Sequence, residues 1–142
     1  MAFVSLTRLR VRSWRFLPFF FLHAISTSKQ AKTAEGNLSV SVLREGFFIF
    51  WTRTTWTSES AMKAYMISGA HGKAMRHLLN WCDEAAIAHW TQDSDELPSW
   101  EESHRRMQES GRPSKVNHPS PDQSAYRVPP AVVTKAGDAR LK

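Results

Sequence analysis

Arg8 and Arg10 sit two residues apart in a stretch whose alternation places them on one strand face with Val4 and Leu6. A guanidinium on an apolar face needs an anion or water opposite it. If that face lines a cleft, Arg8 and Arg10 would hold a carboxylate or phosphate, with Arg53 and Trp51 joining them from a neighbouring strand; if the strand bulges, both arginines snorkel to solvent; and if they are structural, they pair with carboxylates such as Glu45 or Glu84. His71 is the second candidate. It falls at a break between two helical stretches, Ser68-Gly69-Ala70-His71. An imidazole titrating near 6.5 would serve there as a general base or haem ligand, or would cap a helix end. His77 and His89 read as hydrogen-bonded structural residues, and the step from His71 to His77 is not the i, i+4 spacing of a helical zinc pair. Cys82 is the only cysteine, so no intrachain disulfide forms and no metal site is expected. The chain carries no Gly-rich phosphate loop, nucleophile elbow or HExxH.

The elements that must position these groups follow from periodicity. Phe3–Val11 alternates as a strand, with Phe3, Ser5, Thr7, Leu9 and Val11 on the face opposite the arginines. A helix starts near Trp14–Leu17, tolerates Pro18 in its first turn, buries Leu17, Phe20, Phe21 and Ile25, and stops at Gly36. Leu38–Arg44 is a second strand, reversed at Glu45-Gly46 into a third, Phe47–Trp56, whose two faces are both apolar. Thr57 or Ser58 caps a helix with Met62, Tyr65 and Met66 as its stripe, and Gly69 ends it. A further helix, His71–Cys82, points Ala74, Met75, Leu78, Leu79 and Cys82 inward and leads into strand Ala85–Trp90. Ser99-Trp100-Glu101-Glu102 is a capping box that opens a short helix running to Ser110. The composition then shifts to Pro, Ser, Asn and Lys. The expected organisation is one domain over residues 2–111 and a flexible tail over 112–142.

The formal charge of +6 is an N-terminal property. Residues 1–53 carry eight Lys/Arg against Glu35 and Glu45, whereas residues 54–142 carry eleven of each sign. Such an excess draws anionic partners. No nucleic-acid reader motif accompanies it, so nucleic acid is an unlikely partner. The apolar run Phe16–Ile25 after Arg15 imitates a secretory signal but is too short to span a bilayer, which needs about 20 residues. It is expected to fold as part of the domain, with no transmembrane segment. The single thiol agrees with a cytoplasmic location.

Strand, helix, strand, strand, helix pair, strand is the βαββαβ order of a ferredoxin-like α+β plait with helices on one sheet face. The other face would carry the apolar groups of the third strand. A second subunit is expected to cover it, giving a homodimer.

Val4–Trp14, Trp51–Trp56, Ser60–His71, Trp81–Trp90 and Leu97–Pro119 resemble an uncharacterised family of small bacterial proteins grouped with spheroidene monooxygenase-like sequences. That family lies within the dimeric α/β-barrel superfamily, which also holds the antibiotic-biosynthesis monooxygenases and haem-degrading monooxygenases. The resemblance implies a dimeric α/β barrel and a monooxygenase-like activity on an apolar or anionic small molecule, cofactor-free or with haem. The alternative is a non-catalytic small-molecule-binding or interaction dimer. Superfamily members often carry Ala-x-x-Ala-His with a second His some six residues on; here Ala61–Tyr65 puts Tyr65 in the first His position and His71 in the second. His71 is thus the catalytic candidate, and the expected substrate contacts are Tyr65, from its motif position, together with Arg8, Arg10, Arg53 and Trp51, from their place on the strands.

Overall fold

The computed structural model describes residues 1–142 apart from the side chain of Ala70. Its elements are β1 (Ala2–Val11), α1 (Leu17–Thr33), β2 (Asn37–Glu45), β3 (Ile49–Trp56), α2 (Glu59–Ile67), α3 (Gly69–Trp81), β4 (Cys82–Gln92), α4 (Trp100–Ser110), β5 (Arg112–Pro113), α5 (Pro121–Ala125) and β6 (Asp138–Arg140). The sheet is antiparallel in the order β5-β4-β1-β3-β2-β6, so its central four strands have the ferredoxin-like arrangement the sequence led us to expect. A turn of 3-10 helix at Trp14–Phe16 precedes α1. β3 begins at Ile49 rather than Phe47, because Gly46 turns the chain with φ +56°. Phe47 and Phe48 leave the ladder to pack on Trp14, with ring centroids 5.1 and 4.8 Å away.

Strand alternation divides the sheet into two faces. One meets α1, α2 and α3. The other carries Val4, Leu6, Leu43, Trp51, Ala86, Ala88 and Trp90, and this is the face on which a second subunit was expected. Its cover is instead the chain's own C-terminal third. Trp100 and Met107 of α4, together with Val128 beyond α5, complete that core cluster.

The expectation of a flexible tail gives way for the same reason. β5 pairs with β4 at one sheet edge and β6 pairs with β2 at the other, so the intervening residues run across the apolar face. Apolar residues spaced too widely to suggest a core by themselves, Val128 and Ala131 among them, become one when a sheet supplies the other half.

The same face resolves the arginine question. Arg8 is 4 % exposed and donates from Nη1 to Glu84 Oε1 at 2.7 Å. Arg10 donates to Glu84 Oε2 at 3.1 Å, and Ser120 of the C-terminal segment donates to the same oxygen at 2.7 Å. The Glu84 carboxylate therefore ties β1, β4 and the C-terminal segment together. Burial alone would raise its pKa, but the hydrogen bonds from Arg8 and Ser120 outweigh burial and hold it below the usual carboxylate value. Arg53 is likewise occupied: it donates to Pro98 O at 2.5 Å and Ser41 Oγ at 2.8 Å, and its guanidinium lies 3.7 Å from the centre of the Trp100 ring.

Because Glu84 would be left buried and under-compensated, Arg8→Met is expected to lower stability by about 3 kcal/mol, and Arg8→Met with Glu84→Leu to recover most of that loss. Urea unfolding midpoints of the two variants check this. The depressed Glu84 pKa adds a sign: its stabilisation is complete above the ordinary carboxylate pKa and disappears as the pH falls through the lowered value. The acid limb of the midpoint-against-pH curve should flatten in the double variant.

Candidate functional site

Between the helices and the sheet lies a cavity of about 680 Å³. Its floor follows from strand register. Ser5 is paired with Thr54 on one side and His89 on the other, and Thr54 with Val40; the next row is Ile87, Thr7, Thr52 and Val42. Core rows of a sheet under helices are ordinarily aliphatic. Here four hydroxyl side chains occupy the middle of the floor. The following row, Ala85, Leu9, Phe50 and Arg44, turns apolar except for Arg44, and Phe20 and Leu78 close over that end. Ile25 and Met75, expected to point inward, remain more than 40 % exposed while lining the cavity, which places them at its rim.

His71 lines the cavity from the start of α3. Ser68 both ends α2 and precedes α3, and Gly69 makes the turn with φ +55°. A Cβ on Gly69 would stand 3.3 Å from the Gln30 side chain, so both the conformation and the space call for glycine. Gln30 of α1 splices the break: its Oε1 accepts from the His71 backbone N–H at 2.9 Å and its Nε2 donates to Ser68 O at 2.8 Å. The sequence offered no signal for this role, since a glutamine on a helix surface looks like any solvated residue.

The His71 ring faces Met66 O at 2.9 Å through Nδ1. A carbonyl only accepts, so Nδ1 carries the proton and Nε2 holds the free lone pair. Burial lowers the His71 pKa from 6.5, and the hydrogen bond to Met66 offsets part of that. The ring is thus neutral at pH 7, with its basic nitrogen unengaged among the described residues. Tyr65 packs on it with centroids 4.6 Å apart, leans on Trp56 at 5.1 Å, and donates its hydroxyl to Thr27 O at 3.2 Å. Burial raises the phenol pKa well beyond its usual value, so Tyr65 stays protonated and positions His71 rather than acting as a base.

The structure therefore brings His71 and Tyr65 together on the cavity. It does not bring Arg8, Arg10, Arg53 or Trp51 to them. The three arginines lie on the opposite sheet face, Arg8 and Arg10 beside a smaller cleft of about 350 Å³ already neutralised by Glu84. Trp51 borders the cavity, but its indole packs on Trp100 and donates to Glu45 Oε1 at 2.7 Å. A strand places neighbours in sequence on opposite faces, and nothing in the sequence said which face the helices would take.

His89, read as structural, also lines the cavity, beside Phe3 at 5.7 Å. Its Nε2 is enclosed without a partner, and burial lowers its pKa, with Arg112 adding to the effect. Two histidines held neutral in the fold give a definite sign. The unfolded chain takes up protons first, so stability is complete above about pH 6.5 and erodes as the pH falls below it. Unfolding midpoints measured at decreasing pH should show this loss, and His71→Gln with His89→Gln should remove it while leaving the lower, carboxylate-dependent limb.

Comparison with solved structures agrees with the topology. A conserved protein from Methanosarcina mazei superposes with a TM-score of 0.57 at 16 % identity, over 66 % of this chain and 94 % of its own. The cofactor-independent oxygenase SnoaB from Streptomyces nogalater gives 0.53 at 16 % identity, over 69 % and 98 %. Rv0793 from Mycobacterium tuberculosis gives 0.59 at 8 % identity, over 66 % and 97 %. At these identities the likeness carries the fold alone, that of the antibiotic-biosynthesis-monooxygenase-like α/β proteins. The share of this chain they cover is close to that of Ala2–Gln92. No protein of curated function matches the sequence. A family profile does match, over residues 23–117, from α1 through α4. The chain belongs to the family described as Domain of unknown function (DUF3291).

Proposed function

We propose that this chain is a monooxygenase-like enzyme that takes an apolar, oxidisable small molecule into the cavity under α1–α3 and uses His71 as its base. The observation that carries the reading is His71 itself: a neutral imidazole on the cavity wall, its Nδ1–H anchored on Met66 O and its Nε2 free. A cavity of this volume suits a molecule of several rings or a medium-length chain. Apolar walls supply binding, and the Ser5, Thr7, Thr52 and Thr54 hydroxyls orient oxygen substituents. His71 Nε2 accepts a proton from an acidic C–H or phenolic O–H. The resulting anion is electron-rich enough to reduce dioxygen, one oxygen atom entering the substrate and the other leaving as water. The cofactor-free oxygenase among the structural neighbours supports this choice, and the resemblance of the sequence to spheroidene monooxygenase-like proteins suggests an apolar substrate for it.

Haem fits the same donor. His71, with Nδ1 anchored on Met66 O, would hold haem through Nε2, and the group would supply dioxygen activation there. Among the described residues no group of three or more His, Cys, Asp or Glu is gathered for a bare metal ion.

A homodimer, if formed, would bury a surface other than the face covered by α4, and the buried Cys82 thiol, pushed up to about 12 by burial and Asp83, suits a reducing cytoplasm. No described helix is long and apolar enough to cross a membrane.

Oxygen uptake with electron-rich apolar phenols or quinols tests the catalytic reading. His71→Gln should lower kcat/KM by about 100-fold or more with little change in ligand affinity, and the wild-type profile should hold its activity through the ordinary imidazole pKa and lose it only as the pH falls through the lowered His71 value. Ligand binding without turnover in the wild type would leave a binding protein in place of an enzyme. A Soret band on adding haem, lost in His71→Ala, would select the haem form. Light scattering at micromolar concentration should return about twice the 16.2 kDa chain mass if the dimer holds.

A further inference from the structure

The cavity wall is charged in one sense only. Among the described residues lining it there is no aspartate or glutamate, while Lys29, Lys32, Arg44 and Lys115 all reach it. None of the four makes an ion pair among the described residues, in contrast to Arg8 and Arg10 on the other sheet face. The three lysines are exposed and keep their water. Arg44 is different. It is half-buried at the apolar end of the cavity, opposite Phe50 in the β2–β3 register, with its guanidinium 4.7 Å from the centre of the Phe21 ring and 5.5 Å from that of Phe50. Nη2 donates to Phe47 O at 3.2 Å, and Nε is enclosed with no partner.

A guanidinium has five N–H donors. Arg53 also leaves Nε enclosed without a partner, but both of its Nη groups are matched, by Pro98 O and Ser41 Oγ, whereas in Arg44 only Nη2 is. Arg44 rests on aromatic faces with most of its fork unused. That is the arrangement that receives a planar oxyanion, since the rings fix the plane of the guanidinium and leave its edge to pair with two oxygens.

We propose that the cavity takes an apolar carboxylic acid, whose carboxylate pairs with Arg44 while its body lies over the Thr7, Thr52 and Thr54 hydroxyls toward His71. This rests on the reading of the cavity as the binding site and adds the charge and direction of its ligand. From the Phe50 row to the Trp56 row, on which Tyr65 packs with His71 packed on Tyr65 in turn, the strand advances about 20 Å at about 3.3 Å per residue. An acid held at Arg44 therefore presents its far end, not its carboxylate, to His71. The role the sequence suggested for Arg8 and Arg10 falls to Arg44.

The test uses two fluorescent probes with the same aromatic body, anilinonaphthalenesulfonate, whose sulfonate stands in for the carboxylate, and the uncharged phenylnaphthylamine. Both should bind the wild-type protein, and Thr7→Phe, which fills the floor, should abolish both. Arg44→Met should weaken the sulfonate by about 10-fold or more and leave the neutral probe within about 2-fold, and Arg44→Lys should restore only part of the loss. Unlabelled dodecanoate should displace the sulfonate from the wild type far better than dodecanol does. Equal loss of both probes in folded Arg44→Met, or loss of neither, overturns the role of Arg44 while the cavity reading stands. Failure of both probes to bind the wild type, or their survival in Thr7→Phe, overturns the cavity reading and the proposal together. Thermal melting of each variant establishes that it is folded, and Arg44→Lys carries the comparison if Arg44→Met is not.

Discussion

A sheet whose two faces both carry large side chains cannot leave either face in water, and this constraint arranges the rest of the molecule. Trp51 and Leu43 project from one side of the central strands, Phe50 and Trp56 from the other. Three helices cover one side. The chain's own C-terminal third covers the other, which a second subunit would otherwise have to bury. Apolar burial at roughly 25 cal/mol per Å² makes either solution favourable, but a covering segment in the same chain carries no cost of association. Charged groups caught under that cover must then be matched in place. Arg8, Arg10 and Ser120 meet Glu84, and Arg53 meets Pro98, Ser41 and Trp100.

The two faces have opposite characters as a result. Under α4 and residues 112–142 Arg8, Arg10, Arg53 and Glu84 each have a partner, although Nε of Arg8 and of Arg53 is left without one, and the packing is filled by Trp and Met. Under α1–α3 the middle of the floor is hydroxyl-bearing, an imidazole lone pair is free, and a guanidinium is only partly satisfied. Polar groups left under-used inside a fold cost stability, and in the proposed reading a ligand completes those that border the cavity. His71 and Arg44 both line that cavity, and in the proposed reading they separate the reactive end of a bound molecule from the end that is held.

Helix geometry supports this division. The α2–α3 break would be a weak point, with unsatisfied carbonyls at the end of one helix and unsatisfied N–H groups at the start of the next. Gln30 serves both at once, so a third helix clamps the segment that carries His71. Tyr65, packed on the His71 ring, acts as a rigid aromatic support hydrogen-bonded to Thr27 O.

By itself the sequence determined the element order, the strand parity and the helix caps, because these depend on interactions within a few residues. Alternation in Phe3–Val11, the Ser58 and Ser99 caps and the left-handed Gly69 all occur in the structure as read. The break at His71 was legible for the same local reason. Which of two alternating faces would meet the helices was not, since strand periodicity is symmetric between them. Arg8 and Arg10 shared a face with Val4 and Leu6 either way, and only the packing of α4 and the C-terminal segment made that face a closed core instead of a cleft. Glu84, seventy-six residues from Arg8, and Gln30, forty-one from His71, became partners through register and helix docking, which no local spacing encodes. Arg44 lay unnoticed beside Glu45 in the sequence; strand alternation alone puts the two on opposite faces, but only the tertiary structure placed Glu45 against Trp51 and Arg44 on the cavity without a counter-ion.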